Sequence, residues 1–273
     1  MYNKLQKFIN KVYPKKFHKY WKIIKSKKSK NIDSELIFLT DNFINSKSYK
    51  YVSNFWHILN IANYNYLQEY GLRKYGSTVA LNYFTFTDFN EEHVDKVLKK
   101  IKHKKISITS ELFKKQNNFS FKESLNYNLI CSIIYYYLKN SSSFNNIKKL
   151  KDKNYLGYDD PFIKIDNYFV TIDKLSSLVD FDKINRSFNI KNNQFLLEIG
   201  AGSGRLSEAF LSIKNNNNNY IICDIPPALY ISYKRLKNAF PKKKISILVE
   251  SEDPKILLNQ LKKNDISFIF PHQ

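Results

Sequence analysis

Two cysteines, Cys131 and Cys223, are all that the 273 residues contain. They lie far apart and form no CxxC pair, which excludes a disulfide framework and a zinc cluster and fits a reducing compartment. The five histidines, His18, His57, His93, His103 and His272, show no metal-ligand spacing, so no metal is expected. Long apolar runs are missing too. The longest, "LICSIIYYYL" at 129–138, falls well short of the about 20 residues that span a bilayer. No apolar segment followed by a small-residue cleavage site opens the sequence, so no signal peptide is expected. The expected location is the cytoplasm.

Arginine is scarce, four residues against 41 lysines, in a chain of formal charge +21. Charge alone points to nucleic acid or an anionic membrane. Arginine, however, is the side chain suited to bidentate phosphate and base contacts. Asn, Ile, Tyr and Phe are abundant beside Lys, as the codon bias of an AT-rich genome would produce. Much of the charge is therefore compositional. Acidic residues are absent from residues 1–30, which hold 11 lysines interleaved with Tyr2, Phe8, Tyr13, Phe17, Tyr20 and Trp21. Such a segment is either a nucleic-acid or membrane-surface arm or a short helix with a solvated lysine face and a packed aromatic face. The near-helical aromatic spacing favours the helix.

Four segments are expected: a basic, aromatic-rich stretch at 1–47, a helical domain at 48–157, a connector at 158–193 and an α/β domain at 194–273. In "VSNFWHILNIANYNYLQEYG", Phe55, Leu59, Ala62 and Tyr66 share one face and Gly71 is a stop. "NEEHVDKVLKKIKH" has Asn90 as cap, Glu91 and Glu92 in its first turn, and a stripe of Val94, Val97, Leu98 and Ile101. "KESLNYNLICSIIYYYLKN" is apolar on most sides and should be buried. "NSSSFNN", 140–146, reads as a loop. In the connector, "FIKI" and "YFVTI" around "DN" predict a hairpin. Asp159 and Asp160 are either site residues or turn formers before Pro161, and turn formers are favoured.

From 194 the rhythm becomes strand, helix, strand, helix. "QFLLEI" has the composition of a buried parallel strand. A helix places Leu206, Ala209, Phe210 and Ile213 on one face. "NNNNN", 215–219, is a polar loop and "YIICDI" a second strand. Pro226 and Pro227 open a helix whose Leu229, Tyr233, Leu236 and Phe240 face inward. The fold class expected is α/β, a Rossmann-like doubly wound parallel sheet, incomplete at its C-terminal side and preceded by a mainly helical region.

Chemistry concentrates in "FLLEIGAGSGRLSEAFL", 195–211, where Gly200, Gly202 and Gly204 alternate. Glycines at a strand-to-helix turn allow a tight bend and close ligand approach. The pattern is GxGxG, with Arg205 where the dinucleotide fingerprint GxGxxG has its third glycine. Glu198 stands two residues before the first glycine, and a carboxylate there is a poor neighbour for a pyrophosphate. It suits a ligand with a positive amino group and no phosphate, such as S-adenosyl-L-methionine. The second strand ends in Asp224, 20 residues after Gly204, where a carboxylate can accept hydrogen bonds from both ribose hydroxyls.

"LLEIGAGSGRL" followed by "CDIPPALYISYKRLKNAFP" resembles the class I methyltransferases. "SNFWHILN", "LNYFTF", "LGYDDPF" and "PHQ" narrow the resemblance to the bacterial sugar O-methyltransferases, from about residue 48 onward. It implies S-adenosyl-L-methionine as cofactor, contacted by Glu198, Gly200, Ala201, Gly202, Gly204, Asp224 and Ile225, with His272 and Gln273 in the loop that reads the adenine. It implies a sugar or glycan hydroxyl as acceptor, in cell-surface polysaccharide synthesis. It names no catalytic base. The Asp159-Asp160 pair departs from the pattern, in which a residue like Asn stands nearer Pro161.

Two placements of "ISFIF", 266–270, are open. As third main strand, with "ISILVE" an extra strand, it leaves His272 and Gln273 at the adenine. As fourth strand, it makes His272 a candidate general base. On either placement the sheet is short of strands, so a fragment of a longer frame, or a fold completed by a partner, is expected. The functional alternatives are an RNA methyltransferase with a basic arm and a non-catalytic cofactor-fold module. Oligomeric state stays open.

Overall fold

The computed structural model describes residues 17–26, 32–83, 121–141, 143–150, 162–188, 190–214, 218–249 and 253–273. The "NEEHVDKVLKKIKH" helix, Asp159, Asp160, residues 215–217 and the basic residues before 17 lie outside them. The chain divides into two compact units. One comprises 1–75, 193–204 and 217–273; the other comprises 76–192 and 205–216. The chain crosses between the units inside the expected 48–157 segment, at 75/76, at the end of the expected connector, at 192/193, and twice inside the expected 194–273 domain, at 204/205 and 216/217. No helix among the described residues is long and apolar enough to cross a membrane.

The first unit opens with α1, residues 17–26. Phe17, Trp21 and Ile24 are buried at i, i+4 and i+7 while Lys19, Lys22 and Lys25 are exposed. Over these residues the expected helix, packed on its aromatic face, is what forms. Next come α2 (Ser34–Asn45), α3 (Lys47–Tyr51) and α4 (Asn54–Tyr83), of which residues 54–75 belong to this unit. Asp33 caps α2 by accepting from the Leu36 amide. The same carboxylate accepts from Tyr230 Oη at 2.7 Å and pairs with Lys234 at 2.8 Å, which ties α2 to the helix that carries those two residues.

The face of α4 differs from the expected one. Phe55 is 50% exposed, whereas His57, Asn60, Tyr64 and Leu67 are buried. His57 packs against Phe17 and Tyr49, and Tyr64 against Phe17 and Trp21. The aromatic side of α1 thus claims a face of α4 that carries polar residues. Gly71, at φ 68°, kinks α4 where a stop was expected, and helical backbone resumes beyond it.

The sheet of this unit is parallel, in the order β3-β4-β6-β5, with β3 Phe195–Ile199, β4 Asn219–Cys223, β5 Ile245–Ile247 and β6 Ile266–Ile269. β6 pairs with β4 and β5. Among the described residues it does not pair with β3. Helix α8 (Ala228–Ala239) follows β4, and α9 (Pro254–Lys262) precedes β6. Tyr233 of α8 meets Phe268 edge-on at 5.4 Å. Leu257 and Leu261 of α9 join Ile221, Cys223, Leu248 and Ile269 in a core on the opposite face.

β4 and β6 are buried on both faces, as central parallel strands should be. β3 is not the buried strand its composition suggested. It pairs on one side alone among the described residues, and Phe195, Leu197 and Ile199 are 44%, 57% and 75% exposed. The register places Leu197 beside Ile221 and Ile199 beside Cys223, so these side chains extend the α9-covered face past its edge.

The second unit contains α5 (Phe121–Lys139), a 3₁₀ turn (Phe144–Lys149), the hairpin β1 (Ile163–Ile165) and β2 (Tyr168–Val170), α6 (Ile172–Ser187) and α7 (Arg205–Ile213). The 3₁₀ turn interrupts the loop expected at 140–146. The hairpin forms as expected, with Asp166 at φ 51° in its turn, held by Tyr135 and Lys139 of α5. The connector is corrected by α6. Thr171 caps this helix by accepting from the Lys174 amide, and 16 residues of "connector" are helical. α6 packs on α7 through Phe181 and Phe210, whose rings meet at 4.9 Å. Ala209, Phe210 and Ile213 of α7 are buried as expected, while Leu206 is only half-buried.

Candidate functional site

β3 delivers Glu198 and the glycine turn to the carboxyl end of the sheet, where ligands of open parallel sheets bind. The turn is held by backbone. The Gly200 amide donates to Cys223 O at 2.8 Å, and the Gly204 amide to Ala201 O at 2.9 Å. Gly200, Gly202 and Gly204 all have positive φ, at 74°, 59° and 74°. A Cβ on Gly200 would meet nothing within 4 Å, so open space borders the turn there. A Cβ on Gly204 would lie 2.9 Å from Ser232 Cβ and 3.2 Å from its Cα. Gly204 is thus demanded by the packing of α8, while Gly200 leaves room for a ligand.

Asp224 completes the turn from the end of β4. Its Oδ2 accepts from the Gly202 amide at 2.8 Å and its Oδ1 from the Ile225 amide at 2.7 Å. A carboxylate offers about four lone-pair sites, so both oxygens keep capacity for further donors. Burial pushes the Asp224 carboxyl up to about 6; the two amides oppose the shift, and the neighbouring Glu198 carboxylate adds to it. Glu198 itself accepts from Tyr220 Oη at 2.9 Å. Ala201 and Ile225 are buried beside these groups.

The Arg205 guanidinium pairs with Asp180 at 3.0 Å and donates to Ser177 Oγ at 3.2 Å, both on α6. Its place in the motif is explained by helix packing.

His272 and Gln273 follow β6, next to Asp224, whose amide donates to Ile269 O at 3.3 Å. Gln273 is committed to the turn. Its Oε1 accepts from the Phe270 amide at 2.8 Å, and its Nε2 donates to Leu248 O at 2.7 Å. It fastens the loop in which it was expected to read a ligand. Glu198, the three glycines, Asp224 and Ile225 are brought to one turn, whereas the His272 ring meets Ser48, with Nδ1 2.8 Å from its Oγ, and Phe270. No group of three metal-ligating side chains exists among the described residues.

Tyr220 and Ser232 were not foreseen as part of the site. Tyr220 and Glu198 lie on the same face of adjacent strands, a relation visible only once the register is known. His57 and Asn60 also escape a search for apolar periodicity. Both ring nitrogens of His57, and Nδ2 of Asn60, are buried with no hydrogen-bond partner among the described residues, and burial lowers the pKa of His57. An unmet buried donor or acceptor is costly, and an apolar isostere removes that cost. His57→Phe is accordingly expected to raise the melting midpoint by about 2–4 °C. A lower midpoint in a thermal melt would mean that the imidazole has a partner in solution.

No protein-family model, curated protein or solved structure matches the chain.

Proposed function

We propose that the four parallel strands form a Rossmann-like cofactor domain that binds S-adenosyl-L-methionine for methyl transfer to a sugar hydroxyl. The observation that carries the cofactor is the pair of carboxylates, Glu198 and Asp224, set against a glycine turn that is open at Gly200. The residues fit the group. The glycines admit close approach of the ligand to the backbone. Asp224 has acceptor capacity for two ribose hydroxyls. Glu198 repels a pyrophosphate and attracts an ammonium or a sulfonium. The open parallel sheet presents all of them at its carboxyl end.

The bound cofactor supplies an activated methyl group on a good leaving group. The residues of the chain then have to hold it, aim the methyl and exclude water, and positioning of that kind can supply most of the acceleration. A sugar hydroxyl is a weak nucleophile at neutral pH, so a general base would assist it; none is assigned among the described residues. The acceptor class rests on the resemblance of "SNFWHILN", "LNYFTF", "LGYDDPF" and "PHQ" to sugar O-methyltransferases.

Cofactor and acceptor are tested separately. Titration calorimetry is expected to show saturable binding of S-adenosyl-L-methionine at micromolar concentration, in the usual range for an enzyme substrate. Absence of binding removes the cofactor. Methyl-labelled cofactor is expected to pass label to nucleotide-sugar or oligosaccharide acceptors. Label found in RNA or protein, with none in carbohydrate, overturns the sugar acceptor and favours the basic-arm alternative.

A further inference from the structure

We infer that α3 and the first turns of α4, with the outer face of α1, form a docking surface for an anionic lipid bilayer. The inference needs neither the cofactor nor the acceptor of the proposed function. Tyr51, Phe55, Trp56 and Ile58 are all exposed, Tyr51 at 86% and Trp56 at 48%. Four large apolar side chains thus face solvent within eight consecutive positions. Single exposed apolar residues need no explanation, but a contiguous cluster marks an interaction site. Its base is packed. Ser48 of α3 and His57 of α4 are buried, and Tyr49 lies against the rings of Phe17, Phe43 and His57.

The charge around the cluster has one sign. Lys50 is exposed beside Tyr51, and α1, joined to α3 and α4 through Phe17, turns Lys19 and Lys22 outward. No acidic residue occurs in α1, in α3, or in α4 before Glu69. Lysines beside exposed Trp, Tyr and Phe suit the headgroup layer of an anionic bilayer. The ammonium groups gain from its negative surface potential, and the rings reach the acyl boundary. A nucleic acid fits less well. None of the four arginines lies in α1, α3 or the first turns of α4. Phe55 meets Trp56 edge-on, at 76° between the ring planes, so the two rings offer no continuous face for stacked bases.

Tryptophan emission tests the surface directly. The other tryptophan, Trp21, is buried and donates to Asp41 at 2.8 Å, so a change on binding reports Trp56. Vesicles of phosphatidylcholine and phosphatidylglycerol are expected to shift the emission of the full chain to the blue, and brominated acyl chains to quench it. Vesicles of phosphatidylcholine alone are expected to do neither. Co-sedimentation with the anionic vesicles is expected to fall at least about tenfold in Phe55→Ala/Trp56→Ala. A similar fall of about tenfold, with a weaker salt dependence, is expected in Lys19→Gln/Lys22→Gln. Lys242→Gln/Lys244→Gln removes the same charge at the amino end of β5, whereas α3 meets the sheet at its carboxyl end through Ser48 and His272. That variant is expected to bind within about twofold of wild type, because the surface potential fades within a Debye length. All the replaced side chains are exposed, and circular dichroism checks that each variant is folded. A wild type that does not sediment with anionic vesicles overturns the inference. Undiminished binding by Phe55→Ala/Trp56→Ala overturns it too, as does an equal loss in Lys242→Gln/Lys244→Gln, because net charge alone would then be acting. Quenching of Trp56 by polyuridylate without vesicle binding would make the surface a nucleic-acid site instead. A dimer that Phe55→Ala/Trp56→Ala dissolves, with no vesicle binding, would make it an interface between two copies.

Discussion

Replacing Asp224 with alanine is expected to weaken S-adenosyl-L-methionine binding by about a hundredfold or more. The carboxylate would accept two ribose hydroxyls, and hydrogen bonds to a charged acceptor are each worth about 1.5–3 kcal/mol. The same side chain anchors the Gly202 and Ile225 amides, so its removal also loosens the turn. Calorimetry on folded wild-type and variant chains measures the difference. Equal affinities would remove Asp224 from the site.

The unusual ionisation of Asp224 adds a second signature, because binding and stability respond to pH in opposite directions. Burial pushes its carboxyl up to about 6 in the folded chain, from an ordinary value of 3.8. Between these values the folded state holds a proton that the unfolded state has released. Ionisation of Asp224 therefore opposes folding above pH 6, and that opposition fades as pH falls toward 4. Binding needs the ionised acceptor, and Glu198 and Asp224 together attract the cationic ligand. Cofactor affinity is thus expected to drop as pH is lowered from 7.5 to 5, while the stability of wild type relative to Asp224→Ala rises. Affinity that stays flat across that range would mean that the ligand does not touch this carboxylate.

The parts of the fold legible in the sequence are those written locally. The hairpin around Asp166 and Asn167, the glycine turn, the strands of 195–269 and the proline-opened α8 each depend on a few neighbouring residues. Helix α6 was illegible because its buried side includes Ser177 and Asp182, which break the apolar period a reader counts. Asp182 is satisfied by Arg186 one turn on and by Ser143, and the second of these lies outside any local window of sequence. The buried face of α4 was missed for the same reason, His57 and Asn60 being polar. β3 shows the converse error. "FLLEI" reads as interior, yet its exposure is set by its edge position in the strand order, which is a tertiary property. At the site, Glu198, the glycines and Asp224 could be found by spacing. Tyr220 and Ser232 could not, because each acts through a contact made across the fold.

Two alanine substitutions within one turn are expected to separate packing from ligand binding. At Gly204 the backbone has φ 74°, and a new Cβ would stand 2.9 Å from Ser232 Cβ and 3.2 Å from its Cα. A left-handed conformation costs a non-glycine residue about 1–2 kcal/mol, and overpacking adds about 1–3 kcal/mol. Because one of the atoms met is backbone, no rotamer change relieves the contact, and α8 must shift. Gly204→Ala is expected to lower the melting midpoint by on the order of 10 °C. Adding Ser232→Gly removes the Cβ contact and should return about 1 kcal/mol, which a double-mutant cycle detects. Gly200 has the same φ of 74° but nothing within 4 Å of the added methyl. Gly200→Ala therefore carries the conformational cost alone, a midpoint lower by about 5 °C. Its methyl would occupy the space through which the ligand reaches the backbone, so cofactor affinity should fall by at least about tenfold at a temperature where the variant is fully folded. If Gly200→Ala binds as tightly as wild type, the open side of the turn is not where the ligand lies. The two carboxylates would then have to hold it from the other face.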